Sequence, residues 1–219
     1  VKRASAGPTL RVSEIFHSLQ GESTRVGLPT VFVRLAGCPL RCNWCDTSYA
    51  FSGGETLALE AILARVAAFG CKTVCVTGGE PLAQAGCLAL LTALCDAGHS
   101  VSLETSGALD ISAVDPRVSR IVDIKPPGSG EVEKNRWENL EHLRETDELK
   151  FVLASRADYD WAKSALAGRH LAGKCTVLFS PVADTLPAAQ LAEWILADRL
   201  PVRFQLQLHK ILWGQERGR

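Results

Sequence analysis

Apolar and polar residues alternate along 9–19, the period-two pattern of a strand with one buried face. Gln20-Gly21-Glu22-Ser23 closes that run, and Gly27-Leu28-Pro29 turns the chain back. The β-branched run 31–35 predicts a second strand, which Gly37 ends. Beyond a Ser52-Gly53-Gly54 loop, Leu57, Leu59, Ile62, Leu63, Val66 and Phe69 share one face at helical spacing. A helix is therefore expected over 56–69, stopped by Gly70. From there the alternation repeats. Strands are expected over 73–76, 100–103, 120–124, 148–153, 175–179 and 202–206, with helices over 82–97, 112–114, 137–143, 158–166 and 187–196 between them.

Strands alternating with helices at this spacing form βαβ units on a parallel sheet. About six or seven such strands predict an α/β fold that is a partial, shortened TIM-type βα barrel. No proline- or glycine-rich stretch is long enough to separate domains. The range 1–219 is expected to be one domain, with 1–30 as a lead-in strand and turn. In parallel barrels the working loops follow the carboxyl ends of strands. The polar, glycine-bearing segments fall there: Thr77-Gly78-Gly79-Glu80-Pro81, Glu104-Thr105-Ser106-Gly107, Lys125-Pro126-Pro127-Gly128 and Ser180-Pro181-Val182. Gln20-Gly21-Glu22 sits just after the lead-in strand.

The 219 residues suffice for one such unit and carry 24 basic and 24 acidic side chains. That balance offers no broad field for nucleic acid or an anionic membrane and favours a small-molecule substrate. No run approaches the roughly 18 apolar residues of a membrane span. The basic stretch 1–8 has no apolar signal core, so a cytoplasmic location is expected. Eight cysteines in that compartment are ligands or buried thiols rather than disulfides. Cys71, Cys75, Cys87, Cys95 and Cys175 are scattered through strand and helix patterns and read as core filler, a second cluster being the alternative.

Cys38, Cys42 and Cys45 differ. Their C-x3-C-x2-C spacing puts three thiols on one loop directly after strand 31–35. A zinc site or a complete iron–sulfur ligand set asks for a fourth protein ligand, and none lies nearby. A [4Fe–4S] cluster with one iron left open fits three thiolates; a zinc loop and a redox thiol set are the alternatives.

This cysteine loop resembles the cluster-binding signature of the radical S-adenosylmethionine superfamily. The resemblance implies three thiolate-held irons and a fourth chelated by the amino and carboxylate groups of S-adenosylmethionine. One electron from the cluster then yields a 5′-deoxyadenosyl radical. Trp44 matches the aromatic that this superfamily places near the adenine. Thr77, Gly78, Gly79 and Glu80 resemble its motif for gripping the methionyl amino group, although a plain strand-to-helix turn would look the same. Glu104 and Ser106 suit ribose or methionyl contacts, with a turn cap as the alternative. Lys125 and Ser180 are expected among the cofactor contacts.

Gln20-Gly21-Glu22, Gly27, Phe32-Val33-Arg34-Leu35, Gly37-Cys38 and Cys45-Asp46-Thr47 together resemble one branch of that superfamily, the ring-contracting lyases of queuosine and 7-deazapurine biosynthesis. Asp123-Ile124-Lys125-Pro126-Pro127 and His209-Lys210 with Trp213 fit the same branch. Ser23 departs from it, standing where many members carry glycine. The resemblance implies a carbon–nitrogen lyase that converts 6-carboxy-5,6,7,8-tetrahydropterin into 7-carboxy-7-deazaguanine with loss of ammonia. Hydrogen leaves C6 and returns after ring contraction, with Mg2+ assisting.

That branch implies substrate contacts from Gln20, Gly21, Glu22, Arg34, Thr77 and His209. An aminopyrimidinone edge offers adjacent N–H donors to Glu22, and the substrate carboxylate suits the planar fork of Arg34. The Thr47 hydroxyl would reach Mg2+, which keeps waters and takes substrate oxygens. An ion pair between Glu22 and Arg34 is the structural alternative for both, and a turn cap is the alternative for Thr47. No side chain is assigned the hydrogen abstraction itself. A homodimer and a low-potential electron donor, a flavodoxin or ferredoxin, are the implied partners. Two other readings compete. A glycyl-radical-enzyme activase would lack the Gln20-Gly21-Glu22 lead-in, and the charge balance argues against a metal-bearing tRNA-binding module.

Overall fold

A computed structural model describes residues 7–214 and 216–219. The first six residues of the expected lead-in lie outside the described residues. β1 (Thr9–Leu19) runs as its alternation predicts and pairs antiparallel with β2 (Pro29–Leu35). β3 (Glu55–Ala58), α1 (Leu59–Ala67), β4 (Thr73–Gly78), α2 (Cys87–Asp96), β5 (Ser100–Thr105) and β6 (Ser119–Ile124) follow. β7 (Glu148–Leu153), α3 (Arg156–Gly168), β8 (Thr176–Pro181), α4 (Ala188–Asp198), β9 (Arg203–Phe204) and α5 (Leu208–Trp213) complete the described chain.

The strands form one sheet in the order β3-β1-β2-β4-β5-β6-β7-β8-β9. From β2 through β9 every neighbouring pair in that order is parallel, while β1 and β3 are antiparallel additions at one side. β3 and β9 are the sheet's two ends, so the barrel is partial. Apolar runs on the parallel strands bury both faces, as parallel sheets require. Val33, Leu35, Val74, Val76, Leu103 and Phe151 are fully enclosed and meet the inner faces of the helices, notably Ile62, Leu90, Tyr159 and Leu191.

Several expectations need correction. Residues 56–58 are strand, because Thr9 to Val12 pair with Ala58 to Glu55 and cover the edge that β1 would otherwise expose. The helix begins only at Leu59. The expected helix over 82–97 is a 3-10 turn at Pro81–Ala83 and a helix from Cys87, with Gly86 between them. No helix forms at 112–114, where Asp110 Oδ1 accepts from Ser112 N at 2.8 Å and holds a turn instead. Trp137–His142 is 3-10 rather than α. α5 was not expected; it follows a last strand shorter than 202–206 and returns over the carboxyl ends of the sheet.

Candidate active site

The parallel strands end in a cavity of about 260 Å³. Arg34 on β2 pairs in register with Thr77 on β4, Glu104 lies on β5, and Asp123 on β6 stands opposite Lys150 on β7. These five side chains line the cavity as a row crossing the sheet. Gln20, Gly21, Glu22, Arg34, Cys38, Cys42, Trp44, Cys45, Thr47, Thr77, Gly78, Gly79, Glu104, Ser106, Lys125 and His209 all border this space; Glu80 and Ser180 do not.

The cysteine loop is fixed by its backbone. Gly79 N donates to Leu35 O at 3.1 Å and Glu80 N to Gly37 O at 2.8 Å. A Cβ on Gly79 would lie 2.3 Å from Gly37 O and 2.8 Å from Cys38 Cβ, a close approach that requires glycine. On the loop's other flank Asn43 donates its backbone N–H to Ser129 O and its amide to Gly128 O. The three thiols are unpaired and half-buried. Burial pushes the Cys38 thiol up; it also raises Cys42, against the opposing pull of Lys125.

Among the described residues no group of three or more His, Cys, Asp or Glu side chains is gathered for a single metal ion. In a four-iron cube each thiolate binds a different iron, so the sulfurs stand further apart than around one ion. Three thiols on one loop beside an open cavity suit such a cluster better than a closed zinc site. The cavity wall also carries an orphaned acceptor. Asp123 Oδ1 is buried without a hydrogen-bond partner among the described residues, on a side chain that lines the cavity, and a ligand's ammonium or hydroxyl would satisfy it.

The turn at 20–23 borders the same cavity as the cysteines. Glu22 and Arg34 do not pair with each other. Glu22 accepts from Lys150 Nζ at 2.8 Å and from Gln207 Nε2 at 2.7 Å, whereas Arg34 Nε donates to Glu14 at 2.7 Å. Burial opposes the charge on Glu22, but Lys150 and Gln207 outweigh it and hold the carboxyl below its usual range. Glu104 accepts from Thr77 Oγ1 at 2.9 Å and Gln20 Nε2 at 3.3 Å, so it caps no turn. Gly21 packs under His209: a Cβ there would lie 2.1 Å from His209 Nδ1, and Leu208 N donates to Gly21 O at 2.9 Å. Thr47 makes no side-chain cap; its hydroxyl donates to Asp46 Oδ1 at 3.1 Å. Asp46 also pairs with Lys210 at 3.1 Å, and against burial that lysine brings its carboxyl down to about 2.

Two expected cofactor residues lie elsewhere. Glu80 is fully buried, and its carboxylate accepts from Leu82 N at 3.0 Å, Thr105 Oγ1 at 3.0 Å, Ser106 N at 2.7 Å and Ser106 Oγ. It braces the ends of β4 and β5 together instead of facing the cavity. Ser180 is buried on β8, and its hydroxyl has no partner among the described residues.

Sequence reasoning missed Lys150, Gln205 and Gln207. A lysine inside the otherwise apolar run Leu149-Lys150-Phe151-Val152-Leu153 was a signal, since a buried cation demands a partner. The two glutamines left no such mark; the segment between β9 and α5 brings them to Glu22 from far along the chain.

A three-thiol loop after the first parallel strand of a partial barrel, with glycine-rich and acidic strand ends around one cavity, defines a radical S-adenosylmethionine enzyme. The family model described as "Radical SAM superfamily" matches residues 32–125, and that superfamily works with a [4Fe–4S] cluster and S-adenosylmethionine. The 7-carboxy-7-deazaguanine synthase of Chlorobaculum tepidum is 52% identical over 210 residues, covering 94% of this chain and 96% of the relative. That of Koribacter versatilis is 41% identical, covering 94% of this chain and 98% of the relative. The crystal structure of QueE from Escherichia coli superposes with a TM-score of 0.74 at 25% identity, covering 92% of this chain and 95% of that one. The chain belongs to the 7-carboxy-7-deazaguanine synthase family and is a lyase of the queuosine pathway. Membership sets aside the activase and tRNA-binding readings. No helix among the described residues is long and apolar enough to cross a membrane.

Proposed function

We propose that this chain converts 6-carboxy-5,6,7,8-tetrahydropterin into 7-carboxy-7-deazaguanine, removing and returning the hydrogen at C6 and releasing one ring nitrogen as ammonia. Substrate and products balance with no net oxidant. One observation carries the reading. A carboxylate (Glu22) and a guanidinium (Arg34) line the same cavity as the three thiols, each held by a different protein partner and neither neutralising the other.

In this reading the whole of 1–219 serves as one radical S-adenosylmethionine domain. Cys38, Cys42 and Cys45 hold the cluster; Trp44, the Thr77-Gly78-Gly79 turn, Glu104, Ser106 and Lys125 contact S-adenosylmethionine. When bound, the two groups together supply the reductive cleavage that removes a hydrogen atom from the substrate. The protein's own work is placement. Glu22 accepts the N–H donors of the aminopyrimidinone edge, with Gln20, Gly21 and Thr77 beside it. Arg34 takes the substrate carboxylate in a bidentate contact, and His209 can donate to the same group. The Thr47 hydroxyl contributes one oxygen to Mg2+, whose remaining positions go to water and substrate. A flavodoxin or ferredoxin would supply the electron, to a homodimer working in the cytoplasm.

The test is anaerobic iron–sulfide reconstitution followed by incubation with reductant, S-adenosylmethionine, Mg2+ and the carboxytetrahydropterin. Carboxydeazaguanine should form without net consumption of S-adenosylmethionine. Abundant 5′-deoxyadenosine with no deazapurine would defeat the substrate assignment and leave the superfamily chemistry standing.

A further inference from the structure

Lys150 stands at the centre of the cavity's charge pattern and has no part in the reading above. Its Nζ lies 2.8 Å from Glu22 Oε2 and 3.5 Å from Asp123 Oδ2. Asp123 is its direct cross-strand partner and holds Lys125 at 3.0 Å. Charges of alternating sign thus run Glu22, Lys150, Asp123, Lys125 along the cavity wall, each largely shielded from water. A buried cation at mid-strand is costly unless its contacts do something an apolar residue could not.

We propose that Lys150 is a specificity-determining positioning residue: it keeps Glu22 an oriented acceptor, so that the pocket takes a 2-amino-4-oxopyrimidine edge and rejects a ring with oxygen at the 2-position. This rests on the reading of Glu22 as the acceptor for that edge. The other two contacts to Glu22 come from amides, Gln207 Nε2 at 2.7 Å on Oε1 and Gln205 Nε2 at 3.4 Å on Oε2. Ser23 N donates to Gln205 Oε1 at 2.6 Å and holds that amide in its donor orientation, but an uncharged amide, unlike an ammonium, does not keep a carboxyl ionised. Without Lys150 the buried carboxyl can take a proton on Oε2, and its single O–H then serves the pocket as a donor while Gln207 still donates to Oε1. A donor there suits a 2-oxo ring and wastes the 2-amino group. With Lys150 present the carboxyl stays ionised and accepts two parallel N–H groups, one at the free position on Oε1 and one in place of the long Gln205 contact on Oε2.

A residue that merely anchored the substrate turn would affect every ligand alike, so selectivity separates the two roles. The probes are the carboxytetrahydropterin and its 2-oxo counterpart carrying the same carboxylate. Their dissociation constants are measured on the reconstituted protein, along with iron content and the KM and kcat for the pterin. Lys150→Met should weaken pterin binding by about 10- to 100-fold while changing the 2-oxo ring by less than about threefold. Iron content should hold, KM should rise more than kcat falls, and Lys150→Arg should restore most of the preference. Equal weakening of both ligands, or an unchanged ratio, overturns the proposal.

Glu22→Gln separates this idea from the reading beneath it. If that variant keeps the wild-type preference, the role of Glu22 fails; if it loses the preference while Lys150→Met keeps it, only the role of Lys150 fails. Should Lys150→Met not fold, the double variant Glu22→Gln/Lys150→Met lacks both charges and is compared with Glu22→Gln alone. No further change in the ratio is expected, and a further collapse would show that Lys150 acts without Glu22 and defeat the proposal.

Discussion

Glu14 and Arg34 face each other across β1 and β2, and Arg34 Nε donates to Glu14 Oε1 at 2.7 Å. The same oxygen accepts from Tyr49 Oη at 2.7 Å. Phe16 and Tyr49 flank the guanidinium, with ring centroids 5.8 and 6.0 Å from its carbon. Burial works against the charge, but Tyr49 and Glu14 more than compensate and keep the group firmly protonated. The protein therefore uses the Nε side of the fork. Among the described residues the Nη atoms meet no protein acceptor within hydrogen-bond distance, and the residue lines the cavity.

Glu14→Ala should consequently loosen Arg34 without touching the cysteine loop. We expect an unchanged iron content after reconstitution and a KM for the carboxytetrahydropterin raised about tenfold, the loss of one charge-assisted contact. Arg34→Ala should go further and abolish measurable pterin binding while the cluster still assembles. An unaltered KM in both variants would remove Arg34 from the substrate pocket.

Gly79 sets the distance between the second strand end and the cysteines. In Gly79→Ala the new methyl would sit 2.3 Å from Gly37 O, a backbone atom that cannot swing aside, and 2.8 Å from Cys38 Cβ. Overpacking of this kind costs about 1–3 kcal/mol, and the strain falls directly on the loop that carries the ligands. Iron content and visible absorbance should both drop sharply, with a modest fall in denaturation midpoint. Normal cluster loading would mean that the loop moves freely away from β4.

How much of this was legible beforehand follows from the range of the interactions. Strand alternation and the turn residues after each strand are local, so the parallel sheet and the strand-end segments that begin at Thr77, Glu104 and Lys125 could be read from spacing, while Arg34 stood out only through the family resemblance. Residues 55–58 could not, since Leu57 suits a helix face and a strand face equally and pairing with Thr9 to Val12 decided between them. Glu80 looked like a ligand contact because an acid after two glycines matches that motif. Its actual partners, Thr105 and Ser106, sit on the neighbouring strand end and are visible only once β4 and β5 are adjacent. The partners of Glu22 were hidden for the same reason, lying on β7 and in the segment between β9 and α5.

Arg120 and Asp147 are a buried pair that ties β6 to the entry of β7. Asp147 accepts from Arg120 N at 3.0 Å, Arg120 Nε at 3.1 Å and Arg144 N at 2.8 Å. Burial raises the Asp147 pKa, but these donors prevail and leave it lowered. A depressed carboxyl stabilises the fold above its unfolded value of about 3.9, and that contribution is lost as pH falls through the folded value. Asp147→Asn should cost about 3 kcal/mol at neutral pH, because Arg120 stays buried without its counter-charge. In urea titrations the gap between wild type and variant should hold from about pH 7 to about pH 4 and narrow as pH drops below about 3.9. A gap that stays constant below that value too would show that the charge on Asp147 contributes nothing.

Ser23 takes the backbone shape expected of the glycine it stands in for. Its φ is 70°, in the left-handed region, and the residue is buried at the end of the turn that carries Glu22. The serine side chain repays part of this strain by accepting from Arg25 N at 3.1 Å, while its own N–H donates to Gln205 Oε1 at 2.6 Å. Three effects of similar size therefore compete in Ser23→Gly. Relief of left-handed strain favours the variant by about 1–2 kcal/mol. The more flexible unfolded chain opposes it by about 0.4–1 kcal/mol, and loss of the Arg25 contact by about 1 kcal/mol. The net change in unfolding free energy should stay within about 1 kcal/mol, and the KM for the pterin within about twofold, because the backbone and the Gln205 contact that place Glu22 are retained. A tenfold change in KM would mean that the serine hydroxyl, rather than the turn's shape, positions Glu22.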